Sequence, residues 1–237
     1  MGFLRKSGMG LFTILLIVFL VLTGFFLTFG LSLNYNNVQQ NVGSFLNKNV
    51  LPNTNLSAIS FVWATTCKLQ NLTKIEFPTE LDLKIDIPCT KIVAQNNLSN
   101  ELLVSSFVED LYFKKYDCKM FFGCFKESKG VPTFIISEKA RLYFMGKFWL
   151  FVLLSVISLV VLFFLAEKKH NFGFLTGAIF ILSAIFFLGI NQISSSLAMG
   201  EFGDNLSGLI NIFFASSKSV FSVFVIFGIF LIVIGIV

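Results

Sequence analysis

The sequence predicts a membrane protein with a four-helix transmembrane bundle and a small mixed α+β, disulfide-bonded extracytoplasmic domain between helices 1 and 2. Four stretches contain no charged residue and no histidine, namely 11–33, 148–166, 172–190 and 219–237. A bilayer core about 30 Å thick is crossed by about 20 apolar residues of helix, so each stretch is long enough. The composition agrees, because 55% of the residues are hydrophobic and 13% are charged. Soluble domains average about 45–50% and 25%.

The first apolar run follows Arg5 and Lys6 and also has the general look of a signal peptide. The apolar core of a signal peptide is about 7–15 residues long and ends at small residues. The run 11–33 is longer and has no such cleavage site. We therefore expect residues 1–33 to form the N-terminus and transmembrane helix 1.

Residues 34–147 have the length of an ordinary domain and carry most of the charge. Apolar residues at helical spacing from Val38 to Val50 predict that helix 1 continues outward as one stalk until Pro52. A strand is predicted next, because apolar residues alternate with charged ones between Pro78 and Pro88. The apolar members of this alternation are Leu81, Leu83, Ile85 and Ile87.

The second half of the same domain is predicted to contain another helix and another strand. Apolar residues from Leu102 to Leu111 return to helical spacing, with Glu101 near the start, where the helix dipole favours an anion. A possible second strand follows at 131–136. Ser137 then marks the N-terminus of a helix that leads into transmembrane helix 2 at 148–166.

Transmembrane helices 3 and 4 are predicted at 172–190 and 219–237, joined by an outer loop at 191–218. Apolar residues in this loop fall on one helical face, which is typical of an interfacial or re-entrant helix. They are Leu206, Leu209, Ile210, Phe213 and Phe214. The alternative is an outward extension of helix 4.

The charges of the short loops predict the orientation, because loops rich in Lys and Arg stay in the cytoplasm. Arg5 and Lys6 precede helix 1, and Lys168 and Lys169 lie between helices 2 and 3, whereas 191–218 contains two acidic residues and one Lys. We expect a multi-pass protein of the cell membrane, with cytoplasmic N- and C-termini and residues 34–147 outside.

All four cysteines, Cys67, Cys89, Cys118 and Cys124, fall in the segment assigned to the oxidising exterior. An even number in that compartment predicts two disulfides. Of the three possible pairings, Cys67–Cys89 and Cys118–Cys124 is favoured, because each closes a local loop. A thiol–disulfide oxidoreductase is an alternative, although the reactive pair in such enzymes is typically Cys-x-x-Cys.

Other chemistry has little support. The one histidine, His170, lies in a predicted cytoplasmic turn, and the cysteine spacings do not suit a zinc site, so no metal and no cofactor are expected. No basic run suggests nucleic acid. Four Asn-x-Ser/Thr triplets on the predicted outer side are possible glycosylation sites. They begin at Asn55, Asn71, Asn97 and Asn205.

Small residues form stripes that predict close contacts between helices. Helix 1 contains Gly24, Thr28 and Ser32, helix 3 contains Gly173 and Gly177, and helix 4 contains Gly228 and Gly235. Polar residues such as Ser155 and Ser158 of helix 2, with Asn191 and Gln192 after helix 3, fit either packing or the lining of a passive channel.

The function expected from these patterns is that of a non-enzymatic interaction or scaffold protein. Its partners would be the lipid bilayer and either a membrane or surface protein or a second copy of the chain. The alternatives are the thiol–disulfide oxidoreductase, acting through the outer cysteines, and a subunit of a passive channel or transport complex.

Overall fold

A computed structural model describes residues 2–49, 65–69, 74–78, 84–90, 100–116, 118, 121, 123–124, 133–166, 170–197 and 212–236. In chain order the elements are α1 (Gly2–Ser32), α2 (Tyr35–Asn49), β1 (Lys74–Pro78), β2 (Lys84–Pro88), α3 (Asn100–Phe113), a 3₁₀ helix (Thr133–Ile136), α4 (Glu138–Leu165), α5 (His170–Leu197) and α6 (Ser217–Ile236). The chain divides into unit 1, formed by Met1–Ser32 and Arg141–Val237, and unit 2, formed by Leu33–Ala140.

Unit 1 contains the apolar helices. Three segments are long and apolar enough to cross a membrane, namely Ser7–Ser32, Glu138–Leu165 and Ile212–Ile236. Four such spans were predicted. The remaining one, α5, contributes the shorter apolar stretch Phe172–Leu188. It extends as a helix to Leu197, beyond the predicted end at residue 190.

All four of these helices contribute to one buried apolar cluster. It consists of Leu16 and Leu20 of α1, Leu162 of α4, Ile179, Ala184 and Phe187 of α5, and Val220 and Phe224 of α6. Aromatic pairs add to the contact of α1 with α4, where the rings of Phe26 and Phe151 stack with centroids 5.3 Å apart. Such pairs contribute about 0.5–1.5 kcal/mol beyond the area they bury.

Unit 2 is built on a contact between α2 and α3. Val38 and Val42 of α2 and Val104 and Val108 of α3 are all buried. A side chain placed at Gly43 would come within 3.0 Å of Val104 Cγ1, so the glycine allows the helices to approach closely. The strands β1 and β2 pair antiparallel, with Ile75 opposite Ile87.

The predicted stalk, continuous with α1, was wrong. The helix breaks at Leu33 and Asn34 before α2 begins. Asn34 starts α2, because its carbonyl accepts the N–H of Val38 at 2.9 Å, and Asn is a preferred residue at this position. At the break, the carbonyl oxygen of Leu33 accepts a hydrogen bond from the buried hydroxyl of Tyr112 at 3.0 Å.

The predicted second strand at 131–136 was also wrong, because Thr133–Ile136 is a 3₁₀ helix and residues 131–132 lie outside the described part. Its carbonyl at Phe134 accepts the N–H of Ser137 at 3.1 Å, which closes a tight turn. The predicted strand before Pro88 overlaps β2. The described residues are mostly helical and include one two-stranded antiparallel pair. They therefore do not support the mixed α+β domain that the sequence predicted.

Candidate functional site

The backbones of α5 and α6 meet at glycines, in what we call the glycine seam: Gly173, Gly177, Gly228 and Gly235. A Cβ atom added at Gly173 would lie 2.7 Å from Gly235 Cα, and one at Gly228 would lie 2.9 Å from the Gly177 carbonyl oxygen. Real Cβ atoms do not approach backbone so closely. The four glycines that the sequence assigned to packing therefore lie where only glycine fits.

The stripe predicted on α1 also lies against neighbours within unit 1. Gly24 faces the ring of Phe187, which occupies the space that a larger side chain would need. Thr28 and Ser32 are fully buried. The Ser32 hydroxyl oxygen accepts the N–H of Ser216 at 3.0 Å, just before α6 begins. This bond satisfies a backbone donor that a helix start leaves open.

Buried hydroxyls elsewhere in unit 1 bond to their own helices. Ser155 and Ser158 donate to carbonyls one turn earlier at 2.8 and 2.9 Å. Thr28 and Ser183 do the same at 2.8 and 2.9 Å. A hydroxyl used in this way is satisfied without water, which favours packing over a polar channel lining. The side chains of Asn191 and Gln192 lie outside the described part.

The four cysteines of unit 2 form two pairs at disulfide distance, and no described cysteine is free. Cys67 pairs with Cys89 across a Cα–Cα distance of 5.6 Å, and Cys118 pairs with Cys124 across 5.2 Å. Both distances are normal for disulfides. This pairing is the one that the sequence favoured.

A lysine contacts the second disulfide. The Nζ atom of Lys139 donates to the Tyr116 carbonyl at 2.8 Å and to the Cys118 carbonyl, and it lies 3.4 Å from Cys118 Sγ. Lys139 is in the first turn of α4, which is fixed by Ser137, whose hydroxyl oxygen accepts the N–H of Ala140 at 3.3 Å. The ammonium group thus ties the chain after α3 to the start of α4.

Aromatic rings enclose this disulfide. Cys118, Cys124 and Phe134 are buried together, with Tyr116 and Phe121 packed against them. The ring of Phe134 lies edge-on to Phe121 at 5.5 Å. Burial of both sulfurs restricts attack by an external thiol, whereas the lysine would stabilise a thiolate at Cys118. The arrangement is therefore suited first to holding the chain.

Among the described residues of unit 2, two large apolar side chains are exposed. Leu69, close to Cys67, is 79% exposed, and Phe113, at the end of α3, is 50% exposed. The Phe113 ring lies 5.0 Å from Tyr112 and 5.5 Å from Tyr35. Tyr112 is itself held by its bond to Leu33, so Phe113 is presented on a rigid support.

Sequence reasoning missed Lys139 and Phe113. A cation in the first turn of a helix opposes the helix dipole. That mismatch was a signal that Lys139 has other partners. The predicted glycosylation residues Asn55, Asn71, Asn97 and Asn205 all lie outside the described residues. Within the described ranges, no group of three His, Cys, Asp or Glu residues is placed to hold a metal ion.

The fold and these sites are compatible with a membrane protein, having three long apolar helices and two disulfide-distance cysteine pairs. No family model matches the chain, and no curated protein and no solved structure is significantly similar to it.

Proposed function

We propose that the chain is a multi-pass membrane protein whose disulfide-bonded outer domain binds another surface protein, without catalysing a reaction. The observation that carries this proposal is the exposed Phe113, held on the Tyr35–Tyr112 aromatic cluster. Rigid aromatic side chains with exposed area are the residues on which binding energy concentrates at interfaces. Exposed Leu69 supplies a second apolar contact.

We include α5 as the fourth span. It has 28 residues, and a helix of that length is about 42 Å long, enough for a bilayer core of about 30 Å. Within 172–188, where the structure describes its side chains, the exposed ones are apolar, including Phe174, Leu182 and Phe186. The glycine seam with α6 supports insertion of the two helices together, since each lacks a side chain where the other approaches.

The orientation that we propose has both termini in the cytoplasm and residues 34–147 outside, on the basis of Arg5, Lys6, Lys168 and Lys169. Translation into microsomes tests it, because the four Asn-x-Ser/Thr triplets act as reporters. A mass decrease after glycosidase treatment that becomes smaller or is lost on replacing Asn55, Asn71 and Asn97 by Gln would support an outer domain. Digestion of residues 34–147 by protease added to the cytosolic side would contradict it.

Cross-linking in intact cells tests partner binding directly. A photoreactive phenylalanine at position 113 should give a discrete cross-linked product, and the same group at Glu109, exposed on the same helix, should give much less. A product of twice the chain mass would identify the partner as a second copy. Equal, diffuse labelling from both positions would contradict a binding surface at Phe113.

A thiol–disulfide oxidoreductase is the second candidate, favoured by Lys139 beside Cys118 Sγ. In this reaction an external thiolate attacks Cys124 Sγ, the sulfur–sulfur bond breaks, and its electron pair leaves with Cys118 as a thiolate. The attacking thiol stays bound to Cys124 as a mixed disulfide. A cation beside the leaving sulfur would speed this step.

The variant Lys139→Met separates the two candidates. If the lysine serves the fold, its loss leaves the Tyr116 and Cys118 carbonyls without their donor, the loop opens more often, and dithiothreitol reduces the disulfide faster. If the lysine serves exchange, its loss removes the charge that stabilises the leaving thiolate, and reduction slows. Lys147→Met, on the same helix but beside Tyr143, is the control. Alkylation of the freed thiols followed by mass spectrometry gives the rates.

A further inference from the structure

A cleft opens on unit 1 between α4, α5 and α6. Its volume is 410 Å³, and five of its nine lining residues are phenylalanines contributed by all three helices. Every lining residue is apolar except Thr176. Thr176 is 3% exposed and lies deep in the cleft, whereas Phe164 is 76% exposed and lies at its edge.

The cleft occupies one half of the helices. Its lining on α4 runs from Leu159 to Phe164, next to the helix end at Leu165, and on α5 from Phe172 to Phe180, after the start at His170. With a rise of 1.5 Å per residue, all of it is within about 15 Å of the connection between α4 and α5. Half of a bilayer core is also about 15 Å thick, so the cleft fits within one leaflet.

The cleft volume distinguishes between two apolar occupants, a helix of a partner protein and a hydrocarbon chain. One turn of helix with its side chains, about 10 Å wide and 5.4 Å high, fills about 400 Å³. The cleft of 410 Å³ therefore encloses no more than about one turn of helix, whereas a spanning helix of a partner has about five or six turns. A flexible hydrocarbon chain has a smaller cross-section and can follow the cleft along the leaflet.

We propose that this cleft binds one acyl chain of a membrane lipid, an inference that rests on the proposed spanning of the bilayer. Rings on three helices contact the chain from several sides, and the many dispersion contacts hold it more firmly than the flat outer faces of the helices hold neighbouring lipid. The site is specific for hydrocarbon and makes no demand on the headgroup.

Quenching of tryptophan fluorescence by a phosphatidylcholine with brominated acyl chains tests the site. The two native tryptophans, Trp63 and Trp149, are replaced by Phe, and one reporter is introduced. The cleft reporter is Phe180→Trp, at a position that lines the cleft. The control reporter is Ile226→Trp, which lies outside the cleft. Its depth is similar, because Phe180 packs 5.8 Å from Phe224 and 5.9 Å from Phe227, and position 226 lies between these two residues on α6. In detergent micelles, the cleft reporter should be half quenched at about tenfold less lipid than the control reporter.

A side chain that fills the cleft should abolish the difference in lipid titration between the cleft reporter and the control reporter. Val160→Phe adds a ring at the rim, and Val156→Phe adds the same ring one turn earlier on α4, outside the cleft; the two valines are 50% and 52% exposed. Val160→Phe should bring the titration of the cleft reporter to that of the control reporter, and Val156→Phe should leave it unchanged.

Equal titration of the cleft and control reporters in the unplugged protein, or no effect of Val160→Phe, would overturn the proposed site. The same proteins in vesicles of brominated lipid separate this failure from failure of the spanning proposal. Quenching of both reporters in these vesicles would show that the helices enter the bilayer, so that the proposed lipid site alone fails. Quenching of neither would show that the helices do not enter it.

Discussion

Single atoms determine how closely α5 and α6 can approach. At Gly177 an added Cβ would meet backbone atoms of the partner helix, including Ile232 N at 2.9 Å, and backbone cannot rotate away as a side chain can. Gly146 of α4 offers the contrast, because nothing lies within 4 Å of its Cβ position. Glycine is thus required at position 177 and replaceable at position 146.

Gly177→Ala should lower the free energy of unfolding by about 1–3 kcal/mol, the usual cost of overpacking. Gly146→Ala should leave it unchanged or raise it by about 0.5–1 kcal/mol, because Ala is the better helix former. Thermal unfolding of the two variants in one detergent gives the comparison. Equal stability of the variants would contradict direct backbone contact in the glycine seam.

Tyr112 is the second residue with a large expected effect, because its hydroxyl donates to the buried Leu33 carbonyl. Tyr112→Phe keeps the ring but leaves the carbonyl unsatisfied, which costs about 1–3 kcal/mol. Hydrogen exchange of the α3 amides, measured by mass spectrometry, should rise in the variant. Unchanged exchange there would mean that the hydroxyl contributes nothing.

At the scale of elements, the sequence predicted the helices but missed the break between α1 and α2. Apolar spacing placed the helices that became α2 and α3, and paired glycines marked both helices of the glycine seam. The break after Ser32 was missed although Asn34 offers a local helix start, and the partner of the Leu33 carbonyl at the break, Tyr112, is 79 residues away in the sequence. Lys139 was missed for a similar reason, since its partners Tyr116 and Cys118 lie 23 and 21 residues earlier in the chain.

The start of α6 depends on a side chain of α1. Ser32→Ala removes the acceptor for the Ser216 N–H, and loss of such a cap costs about 0.5–2 kcal/mol. Amide exchange at residues 214–218 should increase, together with a lower melting temperature. Ser222→Ala is the matched control, because the Ser222 hydroxyl is exposed and bonds only to Lys218 of its own helix. An equal change in both variants would contradict the cap.

At the scale of the whole molecule, the two disulfides lie in unit 2 and leave the helices of unit 1 without covalent cross-links. The chain-entropy model gives about 3 kcal/mol for the bond across 22 residues and about 2 kcal/mol for the bond across 6. Replacing both members of a pair by Ser should therefore cost more for Cys67 and Cys89 than for Cys118 and Cys124.

Limited proteolysis in detergent checks this order. Both double variants should be cleaved faster within residues 33–140, with the larger effect for the Cys67/Cys89 pair, while the helices of unit 1 melt at an unchanged temperature. A parallel loss of helix stability would show that the two units do not unfold separately.

Direct backbone contact between α5 and α6 also limits how the helices of unit 1 can rearrange. At the four glycines no side chain separates the two backbones, so turning either helix about its axis would press a Cα or Cβ atom into backbone atoms of the other. The pair must therefore shift as a rigid body. Any opening within unit 1 has to come from displacement of α1 or α4 against that pair.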